Sequence, residues 1–351
     1  MTGIADLLDQ VRAAVASQQP LCITGGNTKQ YLGREQQGEP IDMRAWSGVV
    51  DYQPSELVIT VRAGTTISEL RQVLALENQV LASEAPESEG KANVGGTLAC
   101  NLSGPSRPWC GSIRDHVLGL RIINGKAEHL RFGGQVMKNV AGYDVSRLQA
   151  GAMGTLGILT EVTLKVIPRP EATITVRRTI GASDALQVMN KICRAPLPVT
   201  GACWYDGDMY VRLAGPASVI QAAAERIDGS IQPGDDGFWS RLREMDLPLF
   251  ADAKGLWCIA LRSTHDHFKQ DEDWLIDWRC ARRWLAADCD RDTIDAHVGN
   301  TGGELIHVRG AGKGADVFPA RSEAYRSTLL RLKQALDPGG IFNPGRLYSW
   351  M

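Results

Sequence analysis

Apolar residues recur at helical spacing over residues 3–18, where Ile4, Leu7, Leu8, Val11, Ala14 and Val15 fall on one stripe and predict an amphipathic helix. The pattern then turns extended. Leu21-Cys22-Ile23 reads as a short strand running into glycines, and Leu57–Val61 as a strand turned by Ala63-Gly64. Thr66 and Glu69 have the spacing of a capping box and predict a helix over 67–77. Leu118–Ile123, the pair Asn124-Gly125 and the residues to Phe132 predict a hairpin, because both members of an Asn-Gly pair accept positive φ. Asp144 is placed to cap a short helix to about residue 150. Ile158–Ile167 then alternates as a strand, with Glu161, Thr163 and Lys165 on its wetter side.

The composition shifts at Pro168-Arg169-Pro170, which marks a domain boundary. Beyond it the pattern predicts a strand over 173–180, a helix capped by Ser183 and a strand over 199–205. The turn Asp206-Gly207-Asp208 leads into a strand over 209–213. Pro216 then opens a helix, where its missing N–H costs little. Further strands are expected near 256–262, 273–278 and 304–308. This order suggests a small antiparallel sheet with helices on one face. The last helix spans 322–336 with Leu329, Leu330, Leu332, Ala335 and Leu336 as its apolar residues. Asp337-Pro338-Gly339-Gly340 stops it, and Ile341–Arg346 follows as a compact turn.

A chain of 351 residues has room for two domains with cores of their own. Its 22% charged residues and net charge of −2 give no reason to expect nucleic acid or an acidic membrane surface as a partner. The first ten residues lack the basic and apolar regions of a signal peptide. No apolar run approaches the roughly 18–20 residues needed to cross a bilayer, so any membrane contact is expected to be peripheral or through a partner. None of the eight cysteines forms a CxxC pair. The spacings of iron–sulfur and structural zinc sites are absent, and the expectation is reduced, mostly buried thiols in a cytoplasmic protein. Six of the nine tryptophans (204, 239, 257, 274, 278 and 284) lie between residues 200 and 290, either as core or as a face for a partner.

The candidate chemistry lies in three glycine-rich segments: Gly25-Gly26-Asn27-Thr28 after the first strand, Gly95-Gly96-Thr97, and Gly151, Gly154 and Gly157. A dinucleotide diphosphate carries two negative charges, which consecutive backbone N–H groups can hold where no side chain blocks the approach. Three such loops suggest one cradle for a large phosphorylated cofactor, read as FAD. Two rival motifs fail. GxxGxxG leading into a strand reverses the order that a Rossmann fingerprint needs. Gly312-Lys313-Gly314 has glycine where a P-loop needs Ser or Thr.

These loops, together with Ser55–Val58, Gly111–Asp115, Gly154–Ile158 and the tail Asp337–Arg346, resemble the VAO/PCMH-type FAD-binding family. The segment Lys138–Leu148 and the short length are similar to the FAD-binding E subunits of bacterial glycolate oxidase. The resemblance implies an α+β fold: a two-part FAD domain (1–168), a smaller antiparallel α+β cap (171–315), and a C-terminal helix and turn (316–351) returning to the FAD domain. It implies that Gly25, Gly26, Asn27 and Thr28 hold the diphosphate. Gly95, Gly96, Thr97, Asn101, Ser103, Gly111, Ser112 and Asp115 would line the middle of the FAD, Gly154, Leu156 and Ile158 the adenine or ribityl side, and Asn343 would approach the ring. It further implies a role in glycolate oxidation beside a larger flavin-containing catalytic subunit and an iron–sulfur subunit.

The first loop holds no His or Cys, so FAD is expected to be non-covalent, and Cys22 is expected to be buried in its strand. Residues His297–His307 depart from the compact His-x-Gly-x-Gly-x-x-His motif of related catalytic subunits. No catalytic residue and no metal site are therefore assigned, and His265-Asp266-His267 is read as a polar loop. Lys138 and Arg114 are read as surface or salt-bridging cations. Two other readings stay open: a self-sufficient flavin-dependent 2-hydroxy-acid dehydrogenase, and a flavin-free scaffold subunit.

Overall fold

The computed structural model describes residues 3–135, 143–233, 237–251, 253–265, 273–288, 291–298, 301–309 and 317–351. Residues 138–142 of the segment Lys138–Leu148, Asp266, His267, and Gly312-Lys313-Gly314 lie outside the described residues, as does the side chain of His297.

The chain divides into two units. The first comprises Met1–Leu102, Ser112–Pro168 and Gly314–Met351, and the second Ser103–Gly111 and Arg169–Lys313. The expected unbroken run from 1 to 168 is thus interrupted, because the short segment 103–111 packs with the second unit. There the Ser103 carbonyl accepts from Arg282 Nη1 (3.0 Å), the Gly104 carbonyl accepts from Trp278 Nε1 (2.8 Å), and Arg107 lies over the Trp278 ring.

In the first unit the helix Ile4–Ser17 buries Leu7, Val11 and Ala14 of the expected stripe, while Ile4 and Leu8 are half-buried and Val15 is exposed. The strand Leu21–Thr24 pairs in parallel with Glu39–Asp42, a strand the sequence pattern did not reveal. A five-stranded antiparallel sheet runs in the order Val49–Gln53, Val58–Arg62, Ile158–Lys165, Val117–Ile123, His129–Gly133. Ile59, Val61, Leu120, Val162 and Leu164 from it pack in one core with the helices Ile67–Leu76 and Val94–Cys100. The capping box of Ile67–Leu76 forms as read, with Thr66 Oγ1 accepting from Glu69 N and Glu69 Oε2 accepting from Thr66 N. Asp144 likewise caps Val145–Leu148.

The hairpin forms, but its turn differs from expectation. It runs over 124–128 with the positive φ at Ala127 (55°) rather than at Asn124 or Gly125. Asn124 Oδ1 accepts from the N–H groups of Lys126 and Glu128, and the Gly125 N–H is drawn off to the Leu336 carbonyl at the end of the C-terminal helix. Tertiary docking has overridden the local turn preference.

The second unit is built on an eight-stranded antiparallel sheet in the order Ser230–Pro233, Ala172–Thr179, Asp208–Gly215, Val199–Tyr205, Asp273–Asp277, Arg282–Ala286, Leu256–Ala260, Glu304–Arg309. It is larger than the sheet expected there, because Ser230–Pro233 and Arg282–Ala286 carried no clear alternation. The helix Ala182–Arg194 starts on Gly181, not Ser183, and presents Ala185, Leu186, Met189 and Ile192 to the core. Trp239, Trp257, Trp274 and Trp284 are buried, so the tryptophan cluster is mainly core.

All seven described cysteines are free thiols, but only Cys203 and Cys280 are fully buried residues. Cys22 is half-buried, against expectation. Burial pushes the thiols of Cys193 up to about 11 and of Cys258 and Cys280 up to about 12, and raises Cys203 well above its ordinary value. Thiolate is the reactive form. Iodoacetamide at about pH 8 is therefore expected to spare these four in the native chain and to alkylate them in urea. Peptide mass mapping that finds native Cys258 modified would contradict this burial.

Candidate functional site

The first unit contains a cavity of about 110 Å³, bounded by the residues that follow the strand Leu21–Thr24, the start of the helix Val94–Cys100, the turn around Gly154 and the C-terminal tail. The first loop, Gly25-Gly26-Asn27-Thr28, forms one wall. None of its four backbone N–H groups donates to a described residue. Backbone donors are normally spent within the fold, so a run of unspent ones beside a cavity is an offer to a ligand. A Cβ on Gly26 would lie 1.8 Å from the Lys91 carbonyl oxygen, so only glycine lets the loop approach that closely.

Gly95 and Gly96 line the cavity too, but their N–H groups are committed. Gly95 N donates to Ala63 O (2.8 Å) and Gly96 N to Asn93 Oδ1 (2.8 Å), the helix N-cap. Thr97 is fully buried beneath them, and its Oγ1 has no hydrogen-bond partner. Asn101 ends the helix in a left-handed conformation (φ 49°) with Oδ1 buried and unsatisfied.

The structure does not bring the remaining predicted residues to the cavity. Ser103 and Gly111 belong to the second unit. Ser112 and Asp115 form a capping box with each other, Ser112 N donating to Asp115 Oδ2 at 2.8 Å. The side chains of Leu156 and Ile158 enter two apolar cores. Gly154 does line the cavity, with a φ of +72° that favours glycine.

Asn343 lines the cavity as a clamp. Its Oδ1 accepts from Ile23 N (2.8 Å) and its Nδ2 donates to Met153 O (2.7 Å), joining the strand that feeds the first loop to the turn that carries Gly154. The tail also pairs with that strand through main-chain bonds from Leu21 N to Ile341 O and from Asn343 N to Leu21 O.

Among the lining residues that escaped the sequence reading are Lys29, Cys100 and Arg346. Lys29 directly follows the loop and Arg346 closes the tail Asp337–Arg346, so position along the chain is the signal for both. Burial pulls the Arg346 guanidinium below its ordinary range and raises the Cys100 thiol, against the charges of Lys29 and Arg346. Arg114 is exposed and does not line the cavity. His307 stacks on Trp257 in the second unit, with ring centroids 4.1 Å apart. Among the described residues no cluster of His, Cys, Asp or Glu could hold a metal ion.

Comparison with known proteins adds to this geometry. Residues 2–133 match the family described as FAD binding domain. The chain is 43% identical over 343 residues to the glycolate oxidase subunit GlcE of Escherichia coli strain K12, covering 98% of this chain and 97% of that protein. The chain belongs to the GlcE family. It is accordingly an FAD-binding member of an oxidoreductase family. More partial likenesses point the same way. Glycolate oxidase subunit GlcD of Bacillus subtilis strain 168 is 35% identical over 35% of this chain and 26% of its own length. A D-lactate dehydrogenase of Anaerostipes hadrus is 32% identical over 40% of this chain and 29% of its own. An alkyldihydroxyacetonephosphate synthase structure shares the fold, with a TM-score of 0.70 at 16% identity, covering 97% of this chain and 75% of that one.

The residues present fit FAD. The cradle at Gly26 excludes a side chain, the loop N–H groups are unspent, and Thr97 Oγ1 and Asn101 Oδ1 are orphaned polar atoms in the adjoining helix.

Proposed function

We propose that this chain is the FAD-carrying subunit of a heteromeric glycolate dehydrogenase, working beside a larger flavin subunit and an iron–sulfur subunit in the oxidation of glycolate to glyoxylate. The observation that carries the reading is the likeness to a glycolate oxidase subunit along nearly the whole chain, cavity included. FAD, when bound, supplies the capacity to take up and pass on electrons. The protein's part is to hold it. Gly25, Gly26, Asn27 and Thr28 would take the diphosphate on their N–H groups, and Gly95, Gly96 and Gly154 would shape the walls. Asn343 would keep the two sides of the cavity in register. Among the described residues no helix is long and apolar enough to cross a membrane.

The test is the visible spectrum of the purified chain before and after anaerobic addition of glycolate. Flavin absorption near ~450 nm that persists after addition is the expected result for a subunit that relays electrons or supports assembly. Bleaching by glycolate would move the oxidation of substrate into this chain. Absence of flavin after reconstitution would overturn the cofactor role.

A further inference from the structure

Two buried cations, Arg346 and Lys29, line the cavity of the first unit, and the Lys29 ammonium donates to Thr28 Oγ1 (3.1 Å) and to the Pro86 carbonyl (3.4 Å). Lys29 is 7% exposed and Arg346 6% exposed. A buried charge is costly unless it meets an opposite one. Arg346 donates from Nη1 to the Arg34 carbonyl and from Nη2 to the Lys29 carbonyl (3.4 Å), which uses two of the guanidinium's N–H groups and neutralises none of its charge. The acidic groups that reach it are the Cys22 and Cys100 thiols, and burial raises both, so they stay protonated. The unspent N–H groups of residues 25–28 border the same cavity. A site with this make-up is built for a ligand bearing more than one negative charge.

We propose that Arg346, with Lys29 beside it, is the cationic seat of the FAD diphosphate, and that this pair makes the cavity select a dinucleotide flavin over uncharged riboflavin. The proposal rests on the FAD reading above and adds the residues that recognise the charge. The rival account of Arg346 is purely structural: its two carbonyl bonds clamp the loop over residues 29–34, to which its own carbonyl is also tied by Arg34 N (3.0 Å).

Selectivity separates the two accounts. The full chain, stripped of flavin, is titrated with FAD and with riboflavin by fluorescence at low and high salt, for the wild type, Arg346→Lys, Arg346→Met and Lys29→Met. A charged seat predicts that Arg346→Met weakens FAD by at least about tenfold, changes riboflavin by less than about twofold, and flattens the salt dependence of FAD binding. Arg346→Lys keeps the charge but not the fork and is expected to retain most of the selectivity. Lys29→Met should shift FAD the same way by a smaller factor. Equal weakening of FAD and riboflavin in both Met variants, or unchanged FAD affinity, overturns the seat and leaves a loop clamp. If Arg346→Met fails to fold by circular dichroism, Lys29→Met decides by the same comparison, since it leaves the Arg346 side chain in place. A wild type that binds both flavins alike also overturns the proposal. A wild type that binds neither overturns the FAD reading itself, a result visible in the wild-type arm alone.

Discussion

Gly26→Ala is expected to fold and to lose FAD affinity by about a hundredfold or more, equivalent to about 2.7 kcal/mol. The new Cβ would sit 1.8 Å from the Lys91 carbonyl oxygen, and that obstacle is backbone rather than the end of a flexible side chain. The segment holding Lys91 cannot easily retreat. Lys91 N donates to Ser88 O, Ala92 N to Glu87 O, and Ile67 N to Ala92 O. The loop 25–28 must therefore move instead, carrying its N–H groups away from the diphosphate. A hydrogen bond to a charged group is worth roughly 1.5–3 kcal/mol, so losing one or two accounts for the expected drop. Fluorescence titration of the stripped protein measures it, with circular dichroism to check the fold. Gly181→Ala is the control, because a Cβ there meets nothing within 4 Å. Wild-type affinity in Gly26→Ala would mean that FAD does not rest on this loop.

The second large effect concerns stability. Lys333 is 7% exposed, and its ammonium gives all three protons to oxygen: Thr155 O (2.7 Å), Asp337 Oδ2 (2.7 Å) and Phe342 O (2.9 Å). Asp337, 1% exposed, also accepts from the N–H groups of Ile341 (3.2 Å) and Phe342 (2.9 Å). This pair fixes the tail that ends in Asn343 and Arg346 against the turn that carries Gly154. Lys333→Met leaves a carboxylate buried without its cation and is expected to destabilise the first unit by about 3–5 kcal/mol. Denaturant melts followed by tryptophan fluorescence and circular dichroism would measure the loss. Lys333→Met/Asp337→Asn should cost less than the sum of the two single changes, because removing both charges removes the orphan. A single variant within about 0.5 kcal/mol of wild type, as for an ordinary surface change, would rule the pair out as a structural staple.

Much of the architecture was legible along the chain. The stripe of Ile4–Ser17, the Thr66–Glu69 box and the cap at Asp144 are local devices, and local sequence sets them. The glycines at 25, 26 and 154 were legible as sites of close approach or positive φ. The resemblance to a flavoprotein family agreed with the comparisons because it rested on several such fragments in order.

Ser112 and Asp115, candidate ligand groups, meet each other in a capping box three residues apart, a local device like that of Thr66 and Glu69. What depends on distant partners was not legible along the chain. Leu156 and Ile158 turn into cores whose other walls lie far away in sequence. Asn343 spends its amide on residues 23 and 153, some 320 and 190 positions back.

The C-terminal helix draws the line most clearly. Its sequence determined a helix with leucines for packing, because spacing and propensity act within a few turns. Tertiary structure alone decided that the one buried residue of that helix is Lys333, and that Leu330 stays 38% exposed. A lysine can sit at that depth only where Asp337 and the carbonyls of Thr155 and Phe342 converge on it. The same holds for Arg346 beside the cavity. Sequence pattern ranks residues by their own polarity, whereas burial of a charge is decided by the oxygens and anions that the folded chain, and its ligand, bring around it.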